Sequence, residues 1–256
     1  MTKKERGYLT ELYYFALSFF VYGFLGWCTE VAYAAAKQGK FVNRGFLNGP
    51  ICPVYGIGVG VVVQFLTPVE NNLVLLYISS TILVTVIEGI TGFLLEKIFH
   101  NKWWDYSEQP LNIGGYVCVL FSLIWGVFCV LIVKIIHPLI YKVLTMIPLV
   151  LGIVVMACLA VGLLADLYVT ASGILKMNRR LEAMEKIAAE LKELSDKVGE
   201  NIYENVMEGM EFREEKKARI EELKAKYEEM AENRTKVGER LVKAFPKMQV
   251  RQHKEI

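Results

Sequence analysis

Three carboxylates stand inside long apolar runs of this 256-residue chain: Glu30, Glu88 and Asp166. An ionisable side chain in a membrane span is costly, so such residues face a bundle interior or a polar cavity and are functional candidates by default. What they can do there is hold a cation or carry a proton. Arg44, in a stretch rich in glycine and proline, is the obvious counter-charge for Glu30 or Glu88. Ion pairs that only lock helices together explain the same residues equally well, because a buried charge needs a partner whatever its role.

A second group lies at a boundary between apolar and polar sequence, Trp103-Trp104-Asp105-Tyr106-Ser107. Indole and phenol rings favour the headgroup region, so membrane anchoring accounts for the aromatic residues. Asp105 has three readings: it caps the following turn, pairs with Arg44, or holds a cationic ligand beside the rings. Capping asks least of the rest of the chain. Asn43 and Asn112 each open a glycine-bearing loop that leads to a cysteine and then an aromatic-glycine pair, Cys52 with Tyr55-Gly56 and Cys118 with Trp125-Gly126. Each loop follows a helix carrying one of the acids. The two halves therefore read as a degenerate parallel repeat, an arrangement that transporters use, although two glycine-rich hairpins can also resemble each other by chance.

The elements that must position these residues follow from hydropathy. Residues 1 to 175 hold only 10 Lys/Arg and 9 Asp/Glu, while the last 81 hold 19 and 18. Crossing a bilayer takes about 20 apolar residues, and five stretches approach that length: 12–36, 51–67, 72–98, 114–136 and 146–173. The second is short and led by Pro50 and Pro53, so residues 41–53 are expected to re-enter the membrane, where irregular backbone survives only against protein or a cavity. Five spans put the termini on opposite sides. With the N-terminus outside, eight basic residues flank the inner side and five the outer, which favours a cytoplasmic tail. A short second span that fails to cross would instead put both termini inside. Lys3, Lys4 and Arg6 before the first span suggest a signal peptide, but the run to Ala36 is too long for one and carries Glu30.

From Met177 the apolar period becomes helical and amphipathic, breaks near Gly209, and resumes from Ile220 to Leu241. That pattern reads as an antiparallel helical hairpin, a coiled coil joining copies of the chain, or a plain extension of the last span. Pro246 ends it. The expected fold is thus all-α: a polytopic membrane bundle over 1–175, a cytosolic helical region over 176–245, and a disordered tail over 246–256.

Several chemistries find no support. A net charge of +2, balanced in both parts, gives nucleic acid no footing. The five cysteines form no C-x-x-C pair, the three histidines are far apart, and neither H-E-x-x-H nor G-x-S-x-G occurs, so metal sites and hydrolase catalysis are not expected. No phosphate-binding G-x-x-x-x-G-K-[ST] is present, so the chain supplies no ATP site of its own. No cofactor and no enzymatic activity are expected. The glycine pairs Gly23/Gly26, Gly56/Gly60 and Gly89/Gly92 read as helix-packing positions.

The run Asn43-Arg44-Gly45-Phe46-Leu47-Asn48-Gly49-Pro50-x-Cys52-Pro53-x-Tyr55-Gly56 resembles the signature of a bacterial integral-membrane family labelled ABC-transporter permease, type IV. Trp104-Asp105-Tyr106-Ser107, Asn112 and Trp125-Gly126 resemble that family's second block, and the likeness covers residues of about 15 to 140. It implies a multi-pass permease of the cell membrane working with a separate ATPase. It points to Glu30, Asn43, Arg44, Glu88, Trp104, Asp105 and Asn112, with Asp166 added from its place in a span. The charged tail lies outside the resemblance. Three functions follow as expectations: a permease with a polar cavity; a scaffold or regulator that recruits a partner through its C-terminal helices; and, weakest, a lipid-acting enzyme using Asp105 or Glu88.

Overall fold

The computed structural model describes residues 3–204, 209–232, 235–245 and 249–250. Its helices are α1 (Lys3–Gln38), α2 (Pro53–Leu66), α3 (Leu73–Phe99), α4 (Val119–Leu131), α5 (His137–Thr145), α6 (Leu149–Glu204), α7 (Gly209–Glu232) and α8 (Lys236–Ala244). A 3-10 turn, Thr67–Val69, extends α2, and a π-helical turn, Ile132–Ile136, joins α4 to α5. Four helices are long and apolar enough to cross a membrane, within Leu9–Gln38, Leu73–Phe99, Val119–Thr145 and Leu149–Lys197. Pro53–Val69 is the shorter apolar helix expected second. Large apolar side chains such as Ile82, Ile90, Phe93, Val127 and Leu151 are exposed on these helices, as lipid-facing surfaces require.

The chain divides into two compact units, Met1–Thr170 with Arg240–Ile256, and Ala171–Glu239. In the first unit the helices alternate in direction. Gly56 and Gly60 of α2 lie against Phe19 and Phe15 of α1, so α2 runs back along the first half of α1. Gly126 of α4 meets Tyr77 and Thr81 of α3 in the same way, and Gly152, near the start of α6, meets Tyr13 of α1. A packed cluster of Val62, Leu66, Leu76, Cys129 and Val133 joins α2, α3, α4 and the π turn.

Both long loops fold back beside the helix they follow. The Cys52 N–H donates to the Gly23 carbonyl at 2.9 Å, which places the start of α2 about 22 Å below the end of α1, at 1.5 Å per residue. From there the 14 residues of α2 run back along α1. The segment expected to re-enter folds back along α1. In the second loop, Val117 reaches Gly89 and Trp104 reaches Gly92. Two short antiparallel pairings frame it: β2 (Asn112–Ile113) with β3 (Val117–Cys118), and β1 (Asn101–Lys102) with β4 (Gln249–Val250). The β2–β3 turn holds Gly114 and Gly115 at φ +62° and +75°, a left-handed conformation for which glycine is the unstrained choice. Residues 114–118, assigned from hydropathy to the fourth span, thus belong to this loop, because a polar turn must satisfy its backbone before the helix can start.

In the second unit the helical hairpin expected from the amphipathic pattern is formed by α6 and α7. Arg219 bridges back to Glu190 at 3.1 Å, and Ile174, Ile187 and Leu223 are buried. Gly173 faces Val237 and Gly238 faces Met177. No break separates the last span from the hairpin, since α6 continues for 56 residues. The boundary drawn at residue 245 differs from the observed grouping, in which Arg240 onward belongs with the bundle. Of the tail read as disordered from 246, only Gln249 and Val250 fall among the described residues, and they pair with β1.

Candidate loop-face site

The site is the pair of folded-back loops, and the same device orders each. In the first, Asn43 Nδ2 donates to the Asn48 carbonyl at 2.7 Å and more weakly to that of Leu47, while its Oδ1 accepts from Gly45 N at 3.1 Å and from Trp27 Nε1 at 2.8 Å. In the second, Asn112 Nδ2 donates to Gln109 O at 2.8 Å and Ser107 O at 3.2 Å, and Oδ1 accepts from Gly115 N at 3.2 Å. A primary amide suits this task because it offers two donors and an acceptor on one short side chain. Cys52 and Cys118 each stand in extended backbone at the N-cap of the next helix. The repeat read from sequence is thus expressed as two similar loops, each locked by its asparagine.

The acids of α1 and α3 each meet a tyrosine from a loop-led segment. Tyr55 donates to Glu30 Oε1 at 2.9 Å, and Tyr106 donates to Glu88 Oε1 at 3.1 Å. Burial first, and then the Glu88 and Glu30 carboxylates, push the Tyr106 phenol above its ordinary pKa. Arg44 lies 3.5 Å from Glu30 through Nε, a half-buried ion pair in which Nε makes no hydrogen bond. The guanidinium also sits 4.8 Å from the Tyr33 ring and 5.8 Å from that of Phe245. Glu88 has no ion-pair partner among the described residues, and its Oε2 is buried without a hydrogen bond.

Asp166 does not join them. Its carboxylate accepts from Gly49 N at 2.6 Å, Asn48 N at 3.2 Å, Asn48 Nδ2 at 2.8 Å and Thr170 Oγ1 at 3.1 Å. It holds the N–H side of the first loop. The C=O side is held by Arg240, whose guanidinium donates to Gly45 O and Phe46 O at 2.8 Å each, to Asn43 O at 3.5 Å, and to Asn48 Oδ1 at 3.0 Å. Burial pulls the Arg240 guanidinium below its ordinary pKa and the nearby Asp166 charge opposes that pull; arginine stays protonated throughout. Ala244 packs with Ala34 and Val42, and Phe245 stacks edge-on against Trp103 at 5.2 Å.

The aromatic-acid segment takes the capping role. Asp105 Oδ1 accepts from Ser107 Oγ at 2.5 Å and Ser107 N at 3.0 Å, with Lys102 Nζ at 3.9 Å. Its ion pair is thus with Lys102, and Arg44 pairs with Glu30. Trp104 Nε1 donates to Tyr116 O at 2.8 Å, and Trp103 is buried against Phe46 and Phe245, so it packs inside the protein and does not anchor at the interface. The Ser107 hydroxyl, with lesser help from the Ser107 N–H and Lys102, holds the Asp105 carboxyl below its ordinary range against the opposing effect of burial. A depressed folded-state pKa stabilises at pH above the unfolded value of about 3.9 and ceases to do so as pH falls through the folded value. We expect segment 103–118 to lose hydrogen-exchange protection, relative to the unstructured rate, only below about pH 4. An Asp105→Asn variant should lack that acid step, and an unchanged acid profile in it would remove the role.

Sequence reasoning misses Tyr55, Tyr106, Asn48, Thr170 and Arg240. The first three lie within the quoted blocks and were open to notice as polar groups beside acids. Arg240 carried no signal beyond its place in an apolar stripe between Val237 and Leu241. Among the described residues no group of three His, Cys, Asp or Glu side chains could hold a metal.

Four apolar helices of spanning length, packed with two folded-back loops, mark a multi-pass helical membrane protein. The chain belongs to the family described as Putative ABC-transporter type IV, which matches residues 17–171. That match takes in both loops and Asp166 and stops before the helical hairpin. No curated protein and no solved structure matches the chain.

Proposed function

We propose that this chain is a permease subunit of the bacterial cytoplasmic membrane, partnered by a separate ATPase and without catalysis of its own. The observation that carries the reading is that Glu30, paired with Arg44, and Glu88 each meet a tyrosine beside one of two irregular loops. Ionisable groups within membrane spans characteristically mark a solute path. Family membership supports a transport role. In this reading the loop face and the hairpin Ala171–Glu239 are cytoplasmic, and the ATPase engages there.

The test is affinity purification of the tagged chain from native membranes after crosslinking. A P-loop ATPase recovered at fixed stoichiometry supports the reading, and reproducible recovery of only the chain itself overturns it. In the reconstituted complex, Arg44→Ala should lower solute-coupled ATP hydrolysis by about tenfold or more, the scale expected for loss of a desolvated charge, while the protein still inserts and binds the ATPase. If that variant fails to accumulate, the ion pair is structural.

A second reading, a scaffold that recruits a partner through the hairpin, draws on one observation. Both ends of the hairpin segment, Asp166 with Thr170 before it and Arg240 after it, hold the same loop. Deleting residues 171–239 would abolish function on that reading while leaving solute uptake intact.

A further inference from the structure

At the end of the bundle where α1 begins, away from the two loops, lies a cavity of about 130 Å³. Its walls include Tyr14, Phe15, Tyr22, His137 and Tyr141, with Glu11 at the rim, and among the described residues no lysine or arginine lines it. The rings are fixed by one another. Tyr22 Oη and His137 Nδ1 share a hydrogen bond of 2.9 Å, His137 and Tyr141 have ring centroids 5.9 Å apart, and Tyr141 meets Tyr14 at 5.1 Å.

Two backbone features build this cavity. The π-helical turn Ile132–Ile136 directly precedes His137; such turns insert a residue into a helix, re-aim the side chains that follow, and recur at functional sites. Gly60 brings α2 against Phe15, where an added Cβ would come within 2.9 Å of the ring.

We propose that this cavity is a binding site for a small alkylammonium cation, free or carried on a lipid headgroup. Aromatic faces attract cations, best when desolvated, and quaternary ammonium groups are characteristically held in aromatic cages. A carboxylate at the rim, Glu11, adds an attraction of the same sign. By comparison with a ~150 Å³ cavity that takes up benzene, the volume suits about five or six non-hydrogen atoms. The proposal is independent of the permease reading, since none of its residues belongs to the loop face.

The test is equilibrium dialysis of radiolabelled tetramethylammonium against the full-length protein in an uncharged detergent. Saturable binding at one site per chain is expected. Tyr141→Leu and Glu11→Gln should each weaken it by about threefold to fivefold, the size of one cation–π or charge contact at a partly exposed site, and Tyr141→Phe, which keeps the ring, should bind as the parent does. Choline should compete, and its uncharged isostere 3,3-dimethylbutan-1-ol should not. Competition by phosphatidylcholine in mixed micelles assigns the site to a headgroup, and competition by choline without phosphatidylcholine assigns it to a free cation; both support the class. Equal competition by the neutral isostere, absence of saturable binding, or indifference to Tyr141→Leu would overturn it. The isostere comparison needs no variant and stands even if Tyr141→Leu does not fold.

Discussion

Asp166→Ala should raise hydrogen exchange at the Asn48 and Gly49 amides by about a hundredfold or more. The carboxylate accepts both N–H groups and the Asn48 side-chain amide. Hydrogen bonds to a charged group contribute about 1.5–3 kcal/mol each; the Asn48 side-chain amide keeps Thr170 Oγ1 as an acceptor, while the two backbone N–H groups lose the carboxylate they share. Two such losses give about 3 kcal/mol or more, hence the factor. Arg240→Ala should act on the same loop from its carbonyl side. Arg240→Lys should recover only part of the loss, because an ammonium is a single point of charge and cannot span Gly45 O, Phe46 O and Asn48 Oδ1 as a planar guanidinium does. Since both residues hold one loop, the double variant should cost less than the sum of the two, with a coupling of about 1 kcal/mol or more. Strict additivity would show that the two residues act on independent structures, and unchanged exchange in Asp166→Ala would remove the clamp altogether.

This clamp also marks where sequence reasoning stops. The spans were legible because hydropathy over about 20 residues is a local property, and the folded-back loop because Pro50, Pro53 and a short second run are local too. The asparagine locks could be read as well, since Asn43 and Asn112 bond within their own loops. Asp105 took its cheapest reading for the same reason. Arg240 was not legible. It lies 192 positions from its Asn48 partner, and no periodicity or motif reports a contact across that separation. Asp166 was noticed as an acid in a span, but its partners are backbone N–H groups, which every sequence offers everywhere. The pairing of Arg44 with Glu30 and not Glu88 follows from the first loop folding back on its own helix, a geometry that charge counting cannot choose.

Gly56→Leu should prevent accumulation of the folded protein, and Gly56→Ala alone should cost more than about 3 kcal/mol, beyond the usual range for overpacking. A Cβ on Gly56 would come within 2.6 Å of the Phe19 carbonyl oxygen and 2.7 Å of its ring. A side chain can rotate away from such a clash; a carbonyl inside a membrane helix cannot move without breaking hydrogen bonds that lipid will not replace. The matching position in the second hairpin differs in a way that can be checked. At Gly126 the first obstacle is the Thr81 hydroxyl, a side-chain atom, so Gly126→Ala should be rescued in large part by Thr81→Ala. No side-chain change should rescue Gly56→Ala, and Phe19→Ala should leave most of its cost in place. Gly162, with nothing within 4 Å, is the control, and Gly162→Leu should stay within about 0.5 kcal/mol of the parent. Thermal unfolding of the purified variants in detergent separates these outcomes. A Gly56→Ala protein as stable as the Gly162 control would mean that α2 does not approach α1 as closely as Phe19 and Gly56 indicate, and the return path of α2 along α1 would fail with it.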